Sequence, residues 1–356
     1  MPTSSVPLVF DGHNDTLLSI YLDEHGGNRN FFTRSDKGHI DLPRAREGRF
    51  GGGFFAIFVP TEPTEATPLP TGPIASAALP PMSPRVELNY AVRTSMAMAA
   101  LLFRIEAESN GQVKVVRTAD EVAACLRDDV LAAIFHFEGA EAIDTNLNSL
   151  EVFYQAGLRS LGIVWSRPNA FANGVPFGFP SSPDTGPGLT DAGRALVRRC
   201  NELGILLDLS HLNEQGFWDV AKLSTAPLVA THSNAHALCP TSRNLTDRQL
   251  AAIKESDGMV GLNYHVGFTR EDGQRNVDTP LEAYVRHVDY LVEHLGIDRV
   301  GLGSDFDGCT IPNEIGDVTG QPKLLAALAR AGYDDASLRK IAHENWVRVL
   351  RKTWRG

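Results

Sequence analysis

Eight short apolar runs, each followed by a polar cluster and then a longer helical pattern, restrict the fold of this chain more than any other feature. They fall at residues 6–10, 54–59, 131–137, 160–164, 205–209, 228–230, 259–262 and 300–303. Near-continuous rather than alternating apolar residues suit parallel strands that are buried on both faces. The segments between them read as helices. In 280–295, Thr279 can cap, Pro280 takes the first turn and Gly296 stops the helix. Its residues Leu281, Tyr284, Val285, Val288, Leu291, Val292 and Leu295 keep the three-four spacing of one buried face. Residues 190–203, before Gly204, and 85–107 behave similarly. Eight strand–helix alternations predict an α/β chain folded as a (β/α)₈ TIM-like barrel, a single domain over 1–356, rather than an open doubly wound sheet.

Two stretches interrupt the alternation. Residues 60–84 hold eight prolines in 25 positions, and 168–188 are rich in Pro and Gly. Each follows a predicted strand, so each reads as a long loop walling a pocket over the barrel's C-terminal mouth rather than as a linker. With 33 basic against 43 acidic residues the net charge is −10, which argues against nucleic acid or an anionic membrane as partner. Cys125, Cys200, Cys239 and Cys309 form no CxxC pair and read as reduced thiols. The N-terminal MPTSSVPLVF lacks the basic start and apolar run of a signal peptide, and no segment reaches transmembrane length. The predicted location is the cytoplasm.

The unusual polar residues sit directly after the apolar runs. One run leads into Asp11-Gly12-His13-Asn14-Asp15, another into Phe137-Glu138-Gly139, and others into Ser210-His211, Thr231-His232-Ser233 and Ser304-Asp305-Phe306-Asp307. In a barrel these ends meet at one mouth, where active sites lie. Crowded carboxylates repel unless a divalent cation separates them, and imidazole with carboxylate but no thiolate suits zinc, iron or manganese. His13 and Asp15, two apart on an extended strand, share a face and can hold one ion. His211 and His232 can hold a second, with Glu138 between as a bridge. Two such ions would trap and acidify a water, giving hydroxide at neutral pH. His25, His39, His287, His294 and His343 fall on helical or loop patterns and read as surface or structural. His136 faces away from Phe135 and Phe137 and stays open, and Cys239 reads as a buried thiol.

Taken together, FDGHND at 10–15, FEGAEAI at 137–143, LDLSH at 207–211, THSNAHALCPTSRNLTD at 231–247 and GLGSDFDG at 301–308 resemble the renal (membrane) dipeptidase family of zinc peptidases, in the amidohydrolase superfamily. The likeness runs over nearly the whole chain. It implies a binuclear zinc dipeptidase with His13 and Asp15 on one ion, His211 and His232 on the other, and Glu138 bridging. It also implies that Asp305 takes the proton of the metal-bridging hydroxide and passes it to the leaving amine. Arg243 would hold the substrate's C-terminal carboxylate, a task its planar fork suits. The implied substrate is a small dipeptide, with tolerance for a D-residue at the C-terminal position, and the resemblance allows a homodimer.

The chain departs from the family at one position. Where many members carry a histidine after the fourth strand, this sequence reads Val164-Trp165-Ser166-Arg167. Trp165 can donate one hydrogen bond but cannot become a cation. His265 offers a replacement imidazole, and Arg167 could meet an acidic substrate side chain. The departure keeps a second enzyme reading open, a related amidohydrolase acting on a lactam, cyclic amide or N-acyl amino acid. A barrel that only binds is the third reading, but such relatives should lose a ligand or the general base, and none is missing.

Overall fold

In the computed structural model, residues 6–24, 29–62 and 82–355 are described. His25 and most of the 60–84 loop lie outside them. The described residues form nine parallel strands: β1 (Val9–Asn14), β2 (Phe50–Phe58), β3 (Val113–Val115), β4 (Leu131–Glu138), β5 (Ser160–Gly162), β6 (Leu206–Asp208), β7 (Val229–Ala230), β8 (Met259–Leu262) and β9 (Val300–Leu302). Eight of them close a barrel in the order β1-β2-β4-β5-β6-β7-β8-β9, with β9 returning to β1. The short β3 pairs beside the first half of β4.

β4 displays the division of labour that builds the barrel. Phe135 and Phe137 point outward, with ring centroids 5.9 Å from Phe103 and 4.8 Å from Phe153 on the surrounding helices. The alternate residues point into the lumen. Ala132 and Ile134 join Phe10, Phe54, Leu206, Met259 and Trp346 in an apolar floor, and His136 and Glu138 stand above it. Period-two alternation thus separates a packed base from a polar mouth within one strand.

The floor depends on Trp346, carried by the last helix, Asn345–Thr353. A Cβ at Gly12, Gly261 or Gly301 would lie 2.5, 3.0 or 2.8 Å from the indole, so three strands give up side chains to admit it. The indole N–H donates to the Leu302 carbonyl at 3.1 Å. Trp346→Ala is expected to remove about 3–5 kcal/mol of stability through transfer and cavity terms. A denaturant midpoint displaced by less than about 1 kcal/mol would show that the floor does not need the indole.

Several boundaries differ from the sequence expectation. β1 extends through Asn14, because its polar residues find partners in the wall: Ser304 donates to Asp11 from its N–H at 2.6 Å and its hydroxyl at 2.8 Å, and Asn14 donates to the Phe54 carbonyl at 3.2 Å. β2 begins four residues early and takes in Gly51–Gly53. Glycine normally argues against a strand, but here a Cβ on Gly52 would collide with the Ala132 backbone. The 280–295 helix starts at Leu281, with Pro280 in the cap position and the Thr279 hydroxyl donating back to Asn276. Thr190 caps its helix as expected, accepting from the Gly193 N–H at 3.0 Å.

Candidate metal centre

Five side chains from the ends of β1, β4, β6 and β7 converge at the mouth. His13 Nε2 lies 3.4 Å from Asp15 Oδ2 and 3.7 Å from Glu138 Oε2. Glu138 Oε1 lies 3.0 Å from His211 Nε2 and 3.8 Å from His232 Nε2. Two triads therefore share one carboxylate, His13–Asp15–Glu138 and Glu138–His211–His232, each with donor atoms within 4.8 Å of one another. His13 and Asp15 do not meet by strand pleat alone. The β1–β2 register shifts between Asp11 and Asn14, and Asp15 lies just beyond the strand.

A metal pair fits these residues. Both ring nitrogens of His13 and Oδ1 of Asp15 are buried without a hydrogen-bond partner, a costly state that a bound cation removes. Three imidazoles and two carboxylates without thiolate are a donor set for zinc or a similar ion. His13, Asp208 and His232 form a third cluster, but the Asp208 oxygens are already engaged. Oδ1 accepts from the N–H groups of Ser210 at 3.0 Å and Thr231 at 2.8 Å, and Oδ2 from the Thr231 hydroxyl at 2.6 Å.

A neighbouring hydroxyl fixes which nitrogen His232 presents, and another holds the ring of His211. The Thr231 hydroxyl gives its proton to Asp208, so it accepts from His232 Nδ1–H at 2.8 Å and leaves Nε2 with a free lone pair. His211 Nδ1 lies 2.8 Å from the Ser166 hydroxyl, and its Nε2 faces Glu138 Oε1. Burial, then nearby Arg243, pushes His211 down to about 4. Burial and the adjacent His13 hold His232 well below the usual imidazole range. Both rings are therefore neutral ligands at physiological pH. The carboxylates are in conflict: burial and the Glu138 charge push Asp15 up to about 7, and burial with Glu138 raises Asp305.

Asp305 stands in left-handed backbone, φ 61°, as does His211 at φ 67°, a strained state for residues with a Cβ. The Asp305 N–H donates to the His13 carbonyl at 2.9 Å. The Asn263 side chain donates to Asp305 Oδ2 at 2.9 Å, which leaves Oδ1 unengaged by that amide. Arg243 is 3% exposed; Nη1 donates to Ser233 Oγ and Nη2 to the His232 carbonyl, both at 3.2 Å, while Nε has no partner. Its guanidinium lies 5.3 Å from the centroid of Phe268.

The mouth opens into a cavity of about 410 Å³ whose walls include Glu138, Asp305, Trp165, His265 and Phe268. Trp165 packs edge-on against Phe58 and Phe177 at 4.9 and 5.5 Å and tilts over His211 at 5.9 Å. The 168–188 stretch thus contributes Phe177 to the wall. His265 also lines the cavity, with Nδ1 3.1 Å from the Thr310 carbonyl, and burial pushes it down to about 4. Arg167 is not among the residues that line the cavity. It is fully buried, donates to the Val59 carbonyl at 2.6 Å and lies 3.5 Å from Glu141, with its guanidinium carbon 5.0 Å from the ring centroids of Phe58 and Trp165. His136 supports the centre from below, 2.9 Å from Ser160 Oγ. Asn263, Asp208, Thr231 and Ser166 had no role in the sequence reading. Their only signal was position, at or just after a strand end.

The sequence matches the family model described as membrane dipeptidase (Peptidase family M19) over residues 4–355. Among solved structures, a dipeptidase AC of that family is 52% identical with a TM-score of 0.92, covering 98% of this chain and 99% of that one. A metallopeptidase from Rhodobacter sphaeroides, liganded with a phosphinate mimic of the dipeptide L-Ala-D-Ala, is 51% identical with a TM-score of 0.92, covering 98% and 100%. A Klebsiella pneumoniae protein encoded in the pqqA 5′ region is 51% identical over 255 residues, 72% of this chain and 94% of that protein.

Proposed function

The chain belongs to the membrane dipeptidase family of metallopeptidases, and from that premise we propose that it cleaves the amide bond of small dipeptides with a free C-terminal carboxylate, accepting a D-residue there. It is a metal-dependent dipeptidase. The observation that carries this reading is the pair of triads sharing Glu138, at a cavity whose wall also includes Asp305.

In this reading His13 and Asp15 hold one ion, His211 and His232 the other, and Glu138 both. When bound, two zinc ions supply an acidified water and a Lewis acid for the scissile carbonyl. Asp305 receives a proton at its carboxylate and returns it to the departing amine. Burial and the Glu138 charge raise its pKa, which helps a carboxylate take up a proton before returning it. Asn263 fixes the carboxylate through Oδ2, so the exchange falls to Oδ1. Trp165 contributes apolar surface that excludes water, and His265, neutral and tied to Thr310, contributes shape and a hydrogen-bonding edge.

Arg243 binds the substrate's α-carboxylate, supported by its unpartnered Nε and by Phe268 linking it to the cavity. The reading also includes a cytosolic location, supported by four free thiols, a homodimer, and no nucleic-acid partner, given the net charge of −10. Among the described residues no helix is long and apolar enough to cross a membrane.

Comparing a dipeptide with its C-terminal amide tests the reading. Losing a charge-assisted contact should lower kcat/KM by roughly a hundredfold. Equal turnover of the two would remove Arg243 from recognition and favour a lactam or N-acyl substrate.

A further inference from the structure

Arg275 lines the cavity and is exposed, and among the described residues it makes no hydrogen bond or ion pair. The other acids and bases around the mouth are engaged. Asp15 and Glu138 belong to the triads, Asp305 is held by Asn263, and Asp307 accepts from the His39 N–H at 2.6 Å and faces Arg29 at 3.6 Å. Arg243 is buried behind Phe268 with two of its nitrogens committed. A guanidinium left without an acid on a concave wall attracts an anion.

Its position along the wall indicates which end of the substrate it meets. Rings run in an arc from Phe58 through Trp165 and Phe177 to Phe268, with successive centroids 4.9, 5.5 and 6.2 Å apart, and His265 follows at 4.4 Å. Arg275 comes next. A Cβ on Gly267 would lie 3.5 Å from both Arg275 Cγ and His265 Nε2. Arg243 lies over Phe268, so Arg275 and Arg243 share one end of the arc, and the apolar rings occupy the other.

We infer that Arg275 is a specificity-determining residue that pairs with an anionic side chain on the C-terminal residue of the substrate. This rests on the dipeptidase reading, in which Arg243 takes the α-carboxylate at that end. The partner is a side-chain carboxylate, and an aspartyl residue carries that chemistry. The Phe58–Trp165–Phe177 rings leave the N-terminal residue an apolar seat.

The test compares kcat/KM for Ala-Asp and Ala-Asn dipeptides, nearly isosteric and differing in charge, with the C-terminal configuration the zinc-loaded enzyme turns over. The native enzyme is expected to favour the acid by about tenfold, with the preference shrinking as ionic strength rises. Arg275→Ala should bring the ratio close to one, and Arg275→Glu should invert it. A native ratio near one, or a ratio unaltered in both variants, overturns the assignment and leaves the dipeptidase reading standing. If both substrates fall together while their ratio holds, Arg275 serves the α-carboxylate instead, which also overturns it. Failure to cleave any dipeptide with two metals bound would remove both readings.

Discussion

Asp305→Asn is expected to retain two metal ions per chain and to lose turnover by on the order of 10³-fold. The substitution keeps size and shape. The Asn263 amide donates to Asp305 Oδ2, and an asparagine carbonyl placed there accepts the same bond. The backbone N–H still reaches the His13 carbonyl. What disappears is the ability to take and return a proton. Asp305 belongs to neither triad, so metal content measured by elemental analysis should stay near two. Activity near the native level would remove Asp305 from proton transfer. Loss of metal with activity would instead make it a ligand.

Glu138→Gln should have the opposite signature. Glu138 is the only side chain common to the two triads, and an amide cannot offer two anionic oxygens. Each ion keeps two ligands, and affinity should fall by at least about 10²-fold. Glu138 also steadies the metal-free protein. Burial works against its ionised form, but neighbouring His13 and His211 outweigh it and hold the carboxyl well below its usual range. Metal content below one ion per chain, with turnover lost alongside, is the expected result. Full retention of both ions would mean that the triads do not share a bridge.

Much of this centre was legible because its ligands interrupt apolar runs. His13, Glu138, His211 and His232 each follow or end a stretch that must be buried, and the barrel topology brings such ends together. The supporting groups were not legible in the same way. Ser166 reaches His211 across 45 residues, and Asn263 reaches Asp305 across 42. Such contacts are set by which strands become neighbours, and no local pattern encodes them. The burial of Arg167 was not legible for a related reason: a loop arginine is normally exposed, but here it lies beside Glu141 and two aromatic rings. The Gly51–Gly53 strand start and the three glycines around Trp346 likewise follow from close approach rather than from propensity.

The most direct test of the account is release of amine from L-Ala-D-Ala as metal-free protein is titrated with zinc. Hydrolysis that is absent without metal and reaches its plateau at two equivalents is the expected result. Turnover by the metal-free chain, or two tightly bound ions with no hydrolysis of any dipeptide, would contradict it.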